Sequence, residues 1–129
     1  TRVVFPEKTN KLEFMVEVIA DMTVINPFDF FVESYAEDYP FAYDKALKKE
    51  LEPYLQVSEP CSLLDKWLSG VDREKTPIND FLVAINSRLA GDIGYGIRLE
   101  PGVQSPEETL TLMKGSCRDT SGLLVQILR

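Results

Sequence analysis

Apolar and polar positions alternate first in the N-terminal part of the chain. Leu12, Phe14, Val16 and Val18 are separated by Glu13, Met15 and Glu17, which is the period of two of a half-buried strand. Val3, Val4 and Phe5 precede a polar link over 6–11, and the alternation continues loosely through Val24. The pattern predicts a β-hairpin over 2–25. Two strands alone are marginal in water, so this hairpin needs a further layer to cover it. Residues 26–43 then lose any regular period. They hold Phe28, Phe30, Phe31, Tyr35, Tyr39, Phe41 and Tyr43, more than half of the chain's aromatic residues. A long connection pinned to a core by its rings accounts for this; the alternative is an exposed aromatic binding surface.

Helical spacing follows. Asp44 suits a cap for a helix through about Leu51, with Pro53 ending it. Ser62 and Asp65 have capping-box spacing ahead of Leu64, Trp67 and Leu68, with Gly70 as the stop. Thr76-Pro77 opens the clearest helix, in which Ile78, Phe81, Leu82, Ile85 and Leu89 recur at helical spacing until Gly91. Residues 93–99 alternate again and predict a short strand, and Glu100-Pro101-Gly102 turns the chain. Ser105-Pro106-Glu107-Glu108 is a capping box with proline at the first helical position. Ser116 and Asp119 repeat that spacing before the apolar face of Leu123, Leu124, Ile127 and Leu128. The fold class expected is α+β: an N-terminal β-hairpin followed by a mainly helical body.

Composition narrows the function. The chain has 129 residues, room for one domain or parts of two. Its 44% hydrophobic and 27% charged residues are those of a globular chain rather than a disordered one. A net charge of −7 and a pI near 4.6 lack the basic footprint of a sequence-independent nucleic-acid binder. There is no histidine, which excludes a self-contained Ser-His-Asp or Cys-His-Asp site within these residues and any zinc site built on imidazole. Two cysteines are too few for a Cys₄ site, so no metal or other cofactor is expected. No apolar run approaches the roughly 20 residues that span a bilayer. The start lacks a signal peptide's apolar region, and both ends look cut. Cys61 and Cys117 form no recognisable disulfide framework, which predicts free thiols in a reducing, cytoplasmic compartment.

The candidate chemistry sits at Cys117, placed by the pattern at the first residue of a helix. The free N–H groups and dipole of a helix start stabilise an anion, and a thiolate held there is a stronger nucleophile at neutral pH. The alternative on local pattern alone is a small, buried, inert side chain. Asp119 reads as a helix cap ahead of an orienting group, and Arg118 as a solvent-facing side chain ahead of one that favours a thiolate. Trp67 reads as core. Cys61 has no partner pattern. The Glu107-Glu108 pair reads as first-turn charge rather than an acid–base dyad.

These residues also carry a resemblance. Tyr95-Gly96-Ile97-Arg98-Leu99-Glu100-Pro101-Gly102-Val103-Gln104-Ser105-Pro106-Glu107-Glu108-Thr109-Leu110, continuing to Gly115-Ser116-Cys117-Arg118-Asp119 and Leu123-Leu124-Val125-Gln126-Ile127-Leu128-Arg129, resembles the bacterial transglutaminase-like family, whose members are described as cysteine proteases. Upstream, Ile25-Asn26-Pro27-Phe28-Asp29-Phe30-Phe31 and Pro40-Phe41-Ala42-Tyr43-Asp44 are similar to the stretch joining that family's N-terminal β region to its core. The similarity implies two parts: the end of a β region over 1–30, and over 31–129 a papain-like core truncated after the nucleophile helix. It implies that Cys117 is the nucleophile, and that a histidine and an aspartate on strands beyond Arg129 complete the triad. The implied chemistry is acyl transfer at a peptide or protein amide, through a thioester, to water or an amine. Tyr95 is the candidate to line the substrate cleft; a packed core tyrosine is its alternative. Without the general base this stretch alone is expected to be inactive. A non-catalytic interaction scaffold of the same fold is the alternative function, and a structural α+β domain with a packing cysteine is a third. No nucleic-acid or membrane partner is expected. The missing half of the core would uncover the apolar faces of 78–89 and 123–128, which predicts a homodimer.

Overall fold

The computed structural model describes residues 4–21, 26 and 30–129. The chain divides into two units, Thr1–Phe31 and Val32–Arg129.

In the first unit, residues 4–21 form no strand and no helix. Leu12, Phe14, Met15, Val16, Val18 and Ile19 are between 62% and 89% exposed, on both faces of the predicted alternation. The hairpin expected over 2–25 is therefore not formed across these residues. The alternation is present in the sequence, but a strand is stable only when a neighbour takes its hydrogen bonds and a layer takes its apolar face. Residues 2, 3 and 22–25 lie outside the described residues, as do Pro27, Phe28 and Asp29.

The second unit is a mixed α+β structure. Its helices are α1 (Lys45–Leu55), α2 (Ser62–Ser69), α3 (Ile78–Asp92), α4 (Pro106–Leu112) and α5 (Cys117–Leu128). Four two-residue strands, β1 (Asp38–Tyr39), β2 (Thr76–Pro77), β3 (Gly94–Tyr95) and β4 (Lys114–Gly115), pair as antiparallel β1–β2 and parallel β3–β4. The core is made by Leu64 and Trp67 of α2, Ile85 and Leu89 of α3, Ile93, Leu110 of α4, and Leu123 and Ile127 of α5. Helix α4 packs against both α2 and α5, and α3 packs against α5.

Local chemistry explains most boundaries. Asp44 Oδ1 accepts the N–H groups of Ala46 (2.8 Å) and Leu47 (3.0 Å), the expected cap of α1. That helix runs through Pro53 to Leu55 rather than ending before it. Pro53 falls in the last turn, and the helix still closes through Gln56 N–H to the Glu52 carbonyl. Helix α2 departs from the expected capping box: Cys61 is the cap residue and Ser62 is already helical. Pro77 is the extended residue before α3 rather than its first helical one, because Thr76–Pro77 is taken by the pairing with β1 and Ile78 N–H donates to the Glu37 carbonyl at 2.8 Å. Helix α3 also passes Gly91 and stops at Asp92. There Ile93 N–H closes on the Leu89 carbonyl, and the Asp92 carboxylate accepts Trp67 Nε1–H at 2.8 Å.

The aromatic stretch is only partly pinned. Tyr39 stacks on Phe81 of α3, with centroids 3.7 Å apart, while Tyr35, Phe41 and Tyr43 meet edge to face. Phe31 is fully exposed. Of the strand expected over 93–99 only Gly94 and Tyr95 form β3, and its last bond to β4 is made by Gly96 N–H; beyond it Ile97 and Leu99 are exposed. Among the described residues no helix is long and apolar enough to cross a membrane.

Candidate functional site: the start of helix α5

Helix α4 begins with the capping box read from the sequence. Ser105 Oγ accepts Glu108 N–H at 3.2 Å, and Glu108 Oε2 accepts Ser105 N–H at 2.8 Å. It ends at Met113 in the left-handed conformation (φ 48°), which turns the chain into β4. Gly94 N–H donates to the Met113 carbonyl and Gly96 N–H to the Gly115 carbonyl, each at 2.9 Å. This parallel register sets Tyr95 opposite Gly115, two residues before Cys117. Gly115 is buried, and a Cβ there would lie 2.9 Å from Asp119 Cβ and 3.3 Å from Gln104 Oε1. Only glycine permits so close an approach of β4 to the first turn of α5.

Cys117 is the first residue of α5, an exposed free thiol. The first N–H groups of a helix have no intrahelical carbonyl, and the Cys117 thiol lies at that end of α5. Two residues on, Asp119 is completely buried and gathers five donors. Its Oδ1 accepts Arg98 Nη2 (2.9 Å) and Gln104 N–H (2.8 Å); its Oδ2 accepts Arg98 Nε (3.0 Å), Ser116 N–H (2.8 Å) and Ser116 Oγ–H (2.7 Å). The Arg98 guanidinium, the Gln104 N–H and the Ser116 donors together hold this carboxyl far below the usual aspartate range, against the opposing effect of burial. The same ion pair raises Arg98 above its ordinary value. Asp119 is thus a cap, as the spacing predicts, and also the anchor of loop 96–104.

That loop is held at further points. Arg98 Nη2 donates to the Gly102 carbonyl at 2.8 Å, and Gly102 takes the positive φ of 85° that the turn requires. Arg118 is exposed, with its Nη2 3.3 Å from the Glu100 carbonyl. Gln104 Oε1 accepts the hydroxyl of buried Thr109 at 3.3 Å. Between the loop and β4 runs a groove of about 570 Å³, with apolar Ile97, Val103 and Leu112 and polar Glu100, Glu108 and Lys114 in its lining. Its lining reaches Ser116, the residue before Cys117.

Tyr95 is 73% exposed, so it is not a packed core residue, and it is not among the groove's lining residues. The register brings it beside the cysteine motif, while its ring stands outside the groove. Arg98 and Gln104 are the residues that sequence reasoning did not single out. The available signal was a lone cation, Arg98, inside an otherwise apolar alternation. A second cluster joins α2 to α3: the Arg88 guanidinium lies 4.0 Å over the Trp67 ring and donates to the Trp67 carbonyl at 3.0 Å. Cys61 is a free thiol, half-buried against the core. Among the described residues, no three or more His, Cys, Asp or Glu side chains are grouped to hold a metal.

Comparison with family models, with curated proteins and with solved structures found no match for this chain.

Proposed function

We propose that Cys117 is the nucleophile of a transglutaminase-like cysteine enzyme. The observation that carries this reading is the exposed, free Cys117 thiol at the first position of α5, a helix start capped by buried Asp119 and preceded by Ser116, the last residue in the lining of the groove. The thiolate adds to the carbonyl carbon of a peptide or protein amide. The C–N bond then breaks, the amine leaves with a proton from a general acid, and a thioester is left on Sγ. Water or a second amine attacks the thioester, releasing the acyl product and restoring the thiol. The free N–H groups of the first helical turn are suited to the oxyanion of each addition. The general base is a histidine supplied from outside these residues, since they contain none. These 129 residues alone are therefore inactive.

The same absence favours a second reading, a protein-interaction scaffold of transglutaminase-like fold without turnover. The chain works in the cytoplasm, where both thiols stay reduced, and it needs no cofactor, nucleic acid or membrane. It self-associates as a homodimer through apolar side chains left uncovered on α3 and α5, among them Val83 (65% exposed) and Val125 (49%). Light scattering reads the dimer; a strictly monomeric species removes it.

Alkylation tests the nucleophile. At about neutral pH, Cys117 should react with iodoacetamide faster than an unperturbed model thiol, with folding followed in the same samples. Equal rates for Cys117 and the model thiol would count against an activated nucleophile and leave the scaffold.

A further inference from the structure

We infer that Arg98 and Asp119 are positioning residues that clamp one wall of the groove to the first turn of α5, so that a ligand lying in the groove is directed to Cys117. The inference rests on Cys117 being the reactive group of the site. Loop 96–104 supplies the groove wall carrying Ile97 and Val103, and it is joined to α5 through the buried Asp119 carboxylate. The two bonds from Arg98 fix the guanidinium plane, and the third bond, from Gln104 N–H, fixes the far end of the loop. The remaining bonds, from Ser116, fix the residue that precedes the thiol. One carboxylate therefore sets both the groove wall and the helix start. The wall and α5 also touch at a second place, where a Cβ on Gly122 would lie 3.0 Å from Val103 Cγ1.

A small reagent needs only an exposed thiol, whereas a peptide reagent must also use the groove. Two electrophiles separate the roles on the 129-residue chain: iodoacetamide, and chloroacetyl-leucyl-leucinamide, whose side chains suit Ile97, Val103 and Leu112. Alkylation at Cys117 and Cys61 is followed separately by peptide mass. In the unaltered chain the peptide reagent should saturate at Cys117, while half-buried Cys61 reacts slowly. In Arg98→Met the ratio of peptide-reagent rate to iodoacetamide rate at Cys117 should fall about tenfold, since small misplacements of a bound reactant have large effects on rate. Arg98→Lys should recover part of the ratio, because an ammonium keeps the charge and one contact but not the fork. Gly122→Val should lower the ratio by displacing Val103 without touching the ion pair.

Slow reaction of Cys61 marks an intact core; if Arg98→Met exposes Cys61, Arg98→Lys and Gly122→Val decide. An unchanged ratio in the folded variants, a parallel change with both reagents, or absence of saturation in the unaltered chain overturns the positioning role. The comparison of Cys117 with a model thiol tests the nucleophile alone, so the two can fail separately.

Discussion

Arg98 and Asp119, 21 residues apart, meet in a two-bond pair at 2.9 and 3.0 Å, with the carboxylate fully buried and the guanidinium mostly so. A buried carboxylate is tolerated because every oxygen is met by donors, and removing one partner leaves an uncompensated charge. The pair joins the loop after β3 to the cap of α5, which makes it a measurable point of the fold.

Acid should remove the stability that this link confers, although the link itself stays ionised in the folded chain. In the folded chain the Asp119 carboxyl stays ionised far below the usual range, while in the unfolded chain it titrates near the ordinary value of about 3.9. Below that pH the unfolded chain takes up a proton that the folded chain refuses, so stability falls as pH drops. Above it the contribution is present in full. Thermal melts from about pH 6 down to pH 2 should show a falling midpoint. Asp119→Asn should melt lower at neutral pH and show a shallower fall.

Gly115 and Gly96 should respond differently to the same substitution. An added Cβ at Gly115 meets Asp119 Cβ at 2.9 Å, beside the buried carboxylate. At Gly96 it meets the flexible Lys114 side chain. Gly115→Ala is expected to cost about 1–3 kcal/mol as an overpacked site. Gly96→Ala is expected to change stability by only about 0.5 kcal/mol. Urea unfolding of the two variants checks the contrast.

Leu89 is 1% exposed at the centre of the core shared by α2, α3, α4 and α5. Leu89→Ala should destabilise by about 2–5 kcal/mol through lost burial and the cavity left behind. Exposed Leu82, on the same helix at 42%, should cost much less when changed to alanine. Equal losses at the two positions would contradict this division of the α3 face.

Trp67 is the chain's one tryptophan, so its emission reports the α2–α3 joint directly. Asp92→Ala removes the acceptor of Trp67 Nε1–H and the 3.6 Å partner of Arg88. Leaving that buried donor unpaired should cost about 1–3 kcal/mol. The emission should shift in the folded protein. An unchanged spectrum and midpoint would mean the bond contributes nothing to the joint.

The local sequence determined the caps of α1, α4 and α5 and the helical faces. Asp44, Ser105 and Asp119 act within three residues of themselves, and Ile85, Leu89, Leu123 and Ile127 recur at helical spacing, so their signals are contained in short windows. The cysteine at a helix start was legible for the same reason. The alternation of Leu12 to Val18 was equally plain, yet residues 4–21 form no strand, because pairing and cover come from other chain segments. Tertiary structure decided the rest. It drew Thr76–Pro77 into a sheet with β1, left Tyr95 exposed beside Gly115, and brought Arg98 and Gln104 onto Asp119. Those partners lie 15 to 21 residues from Asp119 along the chain, and only folding can choose which distant cation and which distant N–H a buried carboxylate will take.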